Sequence, residues 1–128
     1  MISEGPFDYR KVNIAAQRDA PGSLMEHMQR LIRTRRACPE IGWGDCTVLP
    51  TPESGVLALH CAWRGQSVLT LHNLSDRRVD VRLSADGLPE SLTPLFCDDG
   101  QRNPCPTDEP IALGSYGFRW FRADGERR

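Results

Sequence analysis

A chain of 128 residues is long enough for one domain with its own core, but it is far too short for a (β/α)₈ barrel, which takes about 250 residues. Its composition, with 39% hydrophobic and 26% charged residues, is typical of a soluble globular protein. The formal net charge of −1 creates no field that would attract nucleic acid or an anionic membrane. No apolar run approaches the ~20 residues that a membrane-spanning helix needs.

The five cysteines are irregularly spaced and form no C-x-x-C pair. Residues 1–5 have neither the basic nor the apolar region of a secretory signal. We therefore expect a cytoplasmic protein whose cysteines are thiols rather than a disulfide framework. These cysteines are Cys38, Cys46, Cys61, Cys97 and Cys105.

One amphipathic helix is predicted over residues 21–37, after a lead-in in which residues 7–17 could form a short strand or a turn. Pro39 ends the helix, because the residue before a proline avoids the α region. Apolar side chains recur on one face at helical spacing. They form a group that we call the helix stripe: Leu24, Met25, Met28, Leu31 and Ile32. Burying each of these side chains would contribute about 1.5–3 kcal/mol of stability. We therefore expect the stripe to pack on the rest of the fold or on a partner.

The start of this helix has two possible capping arrangements. Ser23 followed by Glu26 has the spacing of a capping box. Pro21 also suits a first helical turn, with Asp19 or Ala20 as the cap.

From Asp45 onward, short strands alternate with turn residues about every ten residues, which is typical of an antiparallel sandwich or barrel. The pair Arg64-Gly65 lies between two of these strands and predicts a tight hairpin. The fold class is therefore α+β and mainly β. The strands are predicted at 46–49, 56–63, 67–74, 79–83, 92–97, 110–113 and 116–122.

No catalytic pair of carboxylates is indicated. Glycoside hydrolysis needs two acids facing a sugar across roughly 5–10 Å. Almost all the acids from Asp45 onward lie beside Gly, Pro or Ser, or alternate outward on a strand, so turns and surface positions explain them. They are Asp45, Glu53, Asp76, Asp80, Asp86, Glu90, Asp98, Asp99, Asp108, Glu109, Asp124 and Glu126.

The histidines do not predict a metal site either. A two-residue turn at Arg64-Gly65 would pair His60 with Leu69 and Leu57 with His72. Opposed residues share a face and faces alternate along a strand, so the two histidines would point to opposite sides of the sheet. We expect no metal and no cofactor.

The basic residues near the end of the helix, Arg30, Arg33, Arg35 and Arg36, are explained without a nucleic-acid partner. Cations at this end complement the negative end of the helix dipole. The overall charge balance is also close to neutral.

Trp43 is the one candidate for ligand binding. It lies between Gly42 and Gly44 in a predicted loop, where the core supplies no reason for a large aromatic side chain. Exposed tryptophans can stack on sugar rings, whereas the other aromatics of a β-sandwich more often anchor its core.

Several segments, taken in order, resemble the C-terminal end of α-amylase-family glycoside hydrolases, most closely the trehalose synthase (maltose α-glucosyltransferase) branch. Residues 7–17 resemble the lead-in to the last barrel helix, and 33–36 (RTRR) resemble the end of that helix. Residues 39–44 (PEIGWG) are the part most similar to trehalose synthases. Residues 68–75 (VLTLHNLS) and 116–120 (YGFRW) are similar to strands of the Greek-key C-terminal domain.

The resemblance implies a lead-in and last barrel helix over 1–44, a Greek-key β-sandwich of about seven strands over 45–123, and a frayed tail at 124–128. It also implies a non-catalytic domain that packs on a barrel whose catalytic carboxylates match no residue of this chain. Expected partners are a catalytic barrel domain, or a second copy through the helix stripe. Maltose or an α-glucan is a further possible ligand, through Trp43 or other exposed aromatic side chains; no nucleic acid and no membrane are expected.

Overall fold

The computed structural model of the chain describes residues 2–84 and 86–123. The predicted frayed tail lies outside the described residues. The described residues divide into two compact units between Ala37 and Cys38.

The first unit contains two helices, α1 (Ile14–Gln17) and α2 (Leu24–Ala37). Helix α1 is a single turn where the sequence suggested a strand or a turn, and the Asn13 side chain caps it by accepting from the backbone N–H of Ala16 at 2.8 Å. The predicted helix is confirmed as α2, although it begins three residues later than expected from the range 21–37.

The capping box explains this later start. The Ser23 hydroxyl accepts from the backbone N–H of Glu26 at 3.2 Å. The Glu26 carboxylate accepts from the backbone N–H of Gly22 at 2.6 Å instead of from Ser23. Ser23 is therefore the cap, and Pro21 lies outside the helix.

The helix stripe is largely open to solvent. Leu24, Met28 and Ile32 are exposed, Leu24 by 67% and Ile32 by 50%, while Met25 and Leu31 are half-buried. Among residues 2–37, Asp8 is the one buried residue, and it is held by Arg10 rather than by apolar packing. The first unit therefore has no apolar core of its own.

The second unit is a β-sandwich with one short helix, α3 (Glu40–Trp43). Its described strands form a six-stranded sheet in the order β1-β2-β3-β8-β5-β6 and a two-stranded sheet of β4 and β7, all pairs antiparallel. The strands are β1 (Asp45–Leu49), β2 (Val56–Trp63), β3 (Gln66–Asn73), β4 (Val79–Val81), β5 (Ser91–Cys97), β6 (Cys105–Pro106), β7 (Ile111–Leu113) and β8 (Phe118–Arg122). The seven predicted strands are all present; β6, two residues long, was not predicted.

The predicted hairpin and its register are confirmed. Arg64 and Gly65 form the two-residue turn with φ of 50° and 78°, the left-handed values that such a turn requires. Leu57 pairs with His72 and His60 with Leu69. The arginine at the first turn position also lies over the ring of Trp63, with 4.4 Å between its guanidinium carbon and the ring centroid.

The core lies between the two sheets. Leu69, Leu71 and Phe121 point from the large sheet toward Val81 and Leu113 of the small one, and all five are fully buried. Successive side chains of a strand point to opposite faces, so Leu69 and Leu71 lie on one face, and Phe121, the partner of Leu69, lies on the same face. The second unit thus has the closed apolar core that the first lacks.

The expectation of five thiols is wrong for Cys46 and Cys61, which form a disulfide between β1 and β2. The two residues are direct partners in the antiparallel register, so their side chains share a face. Fifteen residues separate them in sequence, a spacing that matches no cysteine motif. The cytoplasmic location stays a prediction, one that a disulfide does not favour.

Helix α3 lies against β2, and Gly44, directly after it, makes the closest approach. A Cβ atom at Gly44 would lie 2.4 Å from the carbonyl oxygen of Ala62 and 2.5 Å from that of Glu40. Real side chains do not tolerate such contacts with backbone, so only glycine fits between the helix and the strand.

We predict that Gly44→Ala lowers the free energy of unfolding by about 1–3 kcal/mol, the usual consequence of forcing extra volume into a packed site. Urea denaturation of the full chain measures it. Gly114→Ala is the matched control, because no atom lies within 4 Å of the position of its Cβ. Equal losses from the two substitutions would show that the contact with β2 is not the cause.

Candidate functional site

The segment that carries the one candidate ligand-binding residue is α3 with its flanking residues. Pro39 occupies the cap position, where its missing N–H does no harm and its fixed φ suits the entry to a helix. The backbone N–H groups of Trp43 and Gly44 donate to the carbonyl oxygens of Pro39 and Glu40 at 2.9 and 3.0 Å. These two hydrogen bonds, each from residue i+4 to residue i, define the single turn of α3.

Glu40 anchors this turn to the sheet. Its side chain is fully buried, and its Oε1 accepts from the guanidinium of Arg122 on β8, whose side chain is 25% exposed. Its second oxygen, Oε2, is buried with no hydrogen-bond partner among the described residues. A buried carboxylate is tolerated only when it is paired, so this ion pair holds α3 in one position against the sheet.

Trp43 is held outward by these contacts. It is 79% exposed, the largest exposed fraction among the large hydrophobic side chains described. Glu40 and Gly44 on either side of it are fixed to the sheet, so its ring is presented on a rigid turn. Its proposed stacking on a sugar ring stays a prediction.

A second aromatic group, which the sequence analysis did not single out, covers the face of the large sheet opposite the core. Phe96 and Trp120 are buried there and lie edge to face, with 6.1 Å between ring centroids. The Trp120 indole N–H donates to His72 Nε2 at 3.2 Å, and burial lowers the pKa of His72. The bond needs an unprotonated Nε2, which the lowered pKa favours. These rings pack on one another, so they form part of the structure rather than an open platform.

The predicted orientation of the histidines is confirmed. His72 lies on the outer face of the sheet, whereas His60, paired with core residue Leu69, lies on the other. Within residues 2–84 and 86–123, no three His, Cys, Asp or Glu side chains come together as a metal site.

The carboxylates do not converge on a cleft within the described ranges. Asp8 and Glu40 are the two buried acids there, and each is paired with an arginine. Arg10 lowers the pKa of Asp8 by hydrogen bonds from its side chain and its backbone. Asp124 and Glu126 lie outside the described residues. The remaining candidate acids are all exposed: Asp45, Glu53, Asp76, Asp80, Asp86, Glu90, Asp98, Asp99, Asp108 and Glu109.

The strand motif at 68–75 has a structural role. Asn73 is buried, and its side-chain amide donates to the carbonyl oxygens of Arg77 and Gly114 at 2.6 and 2.8 Å. Its carbonyl oxygen accepts from the backbone N–H and the hydroxyl of Ser75 at 3.0 and 2.7 Å. With both donors and both acceptor sites occupied, Asn73 joins the turn after β3 to the loop before β8.

Four arginines predicted to complement the negative end of the helix dipole are exposed on α2. They are Arg30, Arg33, Arg35 and Arg36. Arg35 and Arg36 lie in its last turn, where they complement the dipole. No helix within the described part of the chain is both long and apolar enough to cross a membrane.

Comparison with known proteins identifies relatives along nearly the whole chain. Residues 65–122 match the family described as the sucrose hydrolase-like C-terminal domain. The chain is 35% identical over 126 residues to a trehalose synthase from Thermus thermophilus, covering 94% of this chain and 13% of that protein. It is 28% identical over 127 residues to a trehalose synthase from Pimelobacter sp. strain R48, covering 94% of this chain and 22% of that protein.

Solved structures share the fold. An isomaltulose synthase from Erwinia rhapontici NX5 matches with a TM-score of 0.76 at 17% identity, over 91% of this chain and 20% of that one. A trehalulose synthase from Pseudomonas mesoacidophila MX-45 matches with a TM-score of 0.76 at 18% identity, over 91% of this chain and 20% of that one.

These relatives confirm the resemblance seen in the sequence. The chain spans between 13% and 22% of the length of the curated relatives it matches. Its 128 residues leave no room for a catalytic barrel, which is absent from this chain.

We predict that Glu40→Ala lowers the free energy of unfolding by about 3 kcal/mol, because it leaves the Arg122 guanidinium without its buried partner. Urea denaturation of the full chain measures the loss. Asp80→Ala is the control, since Asp80 belongs to an exposed pair with Arg78 at 3.7 Å and its removal should change stability by less than about 0.5 kcal/mol. A similar small change for Glu40→Ala would contradict its role as the anchor of α3.

Proposed function

We propose that this chain, which corresponds to the C-terminal part of trehalose synthase-type enzymes of the α-amylase family, is the non-catalytic β-sandwich module of an enzyme of maltose and α-glucan metabolism. Its role is to stabilise the catalytic barrel of that enzyme. The observation that carries the proposal is the match over 94% of this chain to a small part of two trehalose synthases.

The exposed helix stripe supports a barrel as the partner. Leu24, Met28 and Ile32 face solvent at i, i+4 and i+8 on one face of α2. Burying each side chain would stabilise a complex by about 1.5–3 kcal/mol before the loss of freedom on association is counted. A helix with such a stripe suits the outer ring of a barrel, where each helix packs its apolar face inward. Self-association of two copies through the same stripe is the competing use of this surface.

A chimera tests the stabilising role. In the trehalose synthase from Thermus thermophilus, the matching segment would be replaced by this chain. We expect the chimera to form trehalose, whereas the same enzyme truncated before the segment loses activity and unfolds at a lower temperature. The isolated chain should show no turnover, and measurable interconversion by it would refute a non-catalytic role.

The stripe is tested within that chimera. The double substitution Leu24→Ser with Ile32→Ser should lower the stability of the chimera by about 3 kcal/mol, because two buried side chains lose their apolar contacts. In the isolated chain the same substitutions should change stability by less than about 0.5 kcal/mol, since both residues are exposed there. Gln29→Ser, on the polar face of α2, is the matched control.

The outcomes separate the two partners. A chimera that tolerates the stripe substitutions argues against barrel packing. If the isolated chain is a dimer that the substitutions convert into a monomer, the stripe serves self-association instead.

A second candidate function is carbohydrate binding through Trp43. The observation that favours it is the exposure of this side chain on a turn that Glu40 and Gly44 hold in place. An exposed indole ring can stack on the apolar face of a pyranose, and a backbone that is already held in place limits the loss of conformational freedom on binding. Maltose and α-glucans are the ligands that the resemblance to the trehalose synthase (maltose α-glucosyltransferase) branch suggests.

We predict for this function a saturable change in tryptophan fluorescence on titration with maltose or a soluble α-glucan. Trp43→Ala should abolish the change, whereas Trp63→Phe should preserve it, because Trp63 already lies under the Arg64 guanidinium. If the fluorescence of the unsubstituted chain does not change during the titration, the chain does not bind these sugars, and only the proposed stabilising role remains.

A further inference from the structure

The first unit contains a polar cleft that the proposed function does not use. It has a volume of about 500 Å³ and lies between residues 17–21 and one face of α2. This volume is within the range of small-molecule sites, which run from about 300 to 1,000 Å³. The cleft is built entirely from residues of the first unit, so its geometry depends on that unit alone.

One wall of the cleft is a face of α2. Glu26, Gln29, Arg30 and Arg33 line it, at i, i+3, i+4 and i+7 of the helix. This spacing places their side chains in one row. Met25 of the helix stripe also lines the cleft, whereas Leu24 and Ile32 do not. A polar face of α2 is therefore one side of a cavity.

The opposite wall comes from the segment before the helix, where Arg18 and Asp19 line the cleft. Asp19 has a φ of 62°, a left-handed value that turns the chain back toward α2. Arg18 consequently lines the same cavity as Arg30 and Arg33, although 12 residues or more separate it from them in sequence.

Three hydrogen bonds tie the two walls together. Gln17 Oε1 accepts from the backbone N–H of Met25 at 3.0 Å, and the Ser23 hydroxyl donates to the Gln17 carbonyl oxygen at 2.9 Å. Glu26 Oε2 accepts from the backbone N–H of Gly22 at 2.6 Å. The backbone N–H groups of Gly22 and Met25 are thus already used, so we assign recognition of a ligand to the side chains.

The charge in the cleft favours an anion. Three guanidinium groups and two carboxylates line it, which leaves a net charge of +1. Guanidinium groups donate paired hydrogen bonds that match the geometry of phosphate oxygens, and such charge-assisted bonds are about twice as strong as neutral ones. A phosphate monoester presents three acceptor oxygens and nearly two negative charges, enough for guanidinium groups from both walls.

We propose that this cleft binds a small phosphorylated molecule, with Arg18 on one wall and Arg30 and Arg33 on the other holding the phosphoryl group. The remaining volume accommodates the organic part of the ester, and the Gln29 amide lies within the cavity to hydrogen-bond its hydroxyl groups. The site is separate from Trp43, and it does not rest on the role of the chain in stabilising a barrel.

Isothermal titration calorimetry on the full chain, at one fixed ionic strength, tests the proposal with three probes. Inorganic phosphate and glucose 6-phosphate should bind saturably, and glucose should not bind. Saturable binding of glucose with the same affinity as its phosphate would overturn the assignment of the cleft to a phosphoryl group. No saturable binding of either phosphate probe would overturn the site itself.

Variants locate the binding. Arg33→Gln and Arg18→Gln, from the two walls, should each weaken glucose 6-phosphate binding by about tenfold, the effect expected for losing one charge-assisted contact. Arg36→Gln is the matched control, because this arginine lies on the same helix but does not line the cleft. Far-ultraviolet circular dichroism confirms that the variants keep the helix.

The pattern across the variants decides the mechanism. Weakening confined to Arg18→Gln and Arg33→Gln supports the cleft. Equal weakening by all three substitutions would show that only the general positive field of α2 attracts the anion, and it would refute a defined site.

Discussion

The buried ion pair between Glu40 and Arg122 is the interaction on which the candidate site depends. A fully buried carboxylate is stable only with a partner, and the partner lies 82 residues away on β8. The pair therefore fixes α3 at one place on the sheet. The position of Gly44 against β2 follows from that placement, as does the outward projection of Trp43. Removing the pair would release the segment that carries both residues.

The two compact units differ in how completely they bury their apolar side chains. In the second unit, Leu69, Leu71 and Phe121 close a core against the small sheet. In the first, residues 2–37 bury one side chain, that of Asp8, and leave Leu24 and Ile32 in water. The sandwich therefore buries its apolar side chains within the chain, whereas the helix stripe leaves apolar surface exposed. This difference supports the proposed packing of α2 on a partner domain.

Much of the fold could be predicted because its signals are local. The Arg64-Gly65 turn indicated the hairpin and, with it, the register that separates His60 from His72. The contacts that shape the site are long-range, and sequence spacing does not encode them. Neither the Glu40–Arg122 pair nor the Cys46–Cys61 disulfide matches a motif, and the turn at α1 is too short for a periodic pattern. The cleft on α2 escaped prediction because its second wall depends on the backbone reversal at Asp19.

The fold explains several residues of the motifs that resemble trehalose synthases, whereas it does not explain the exposed Trp43. Glu40 is there for its ion pair, Gly44 for its close approach to β2, and Asn73 for the four hydrogen bonds that join two loops. Trp43 lies among these residues but contributes little to packing, since most of its surface is in solvent. An exposed indole lacks the stabilisation of about 1.5–3 kcal/mol that burying a large apolar side chain provides. Its neighbours hold the backbone of this turn against the sheet, so Trp43 is the residue on which the prediction of sugar stacking rests.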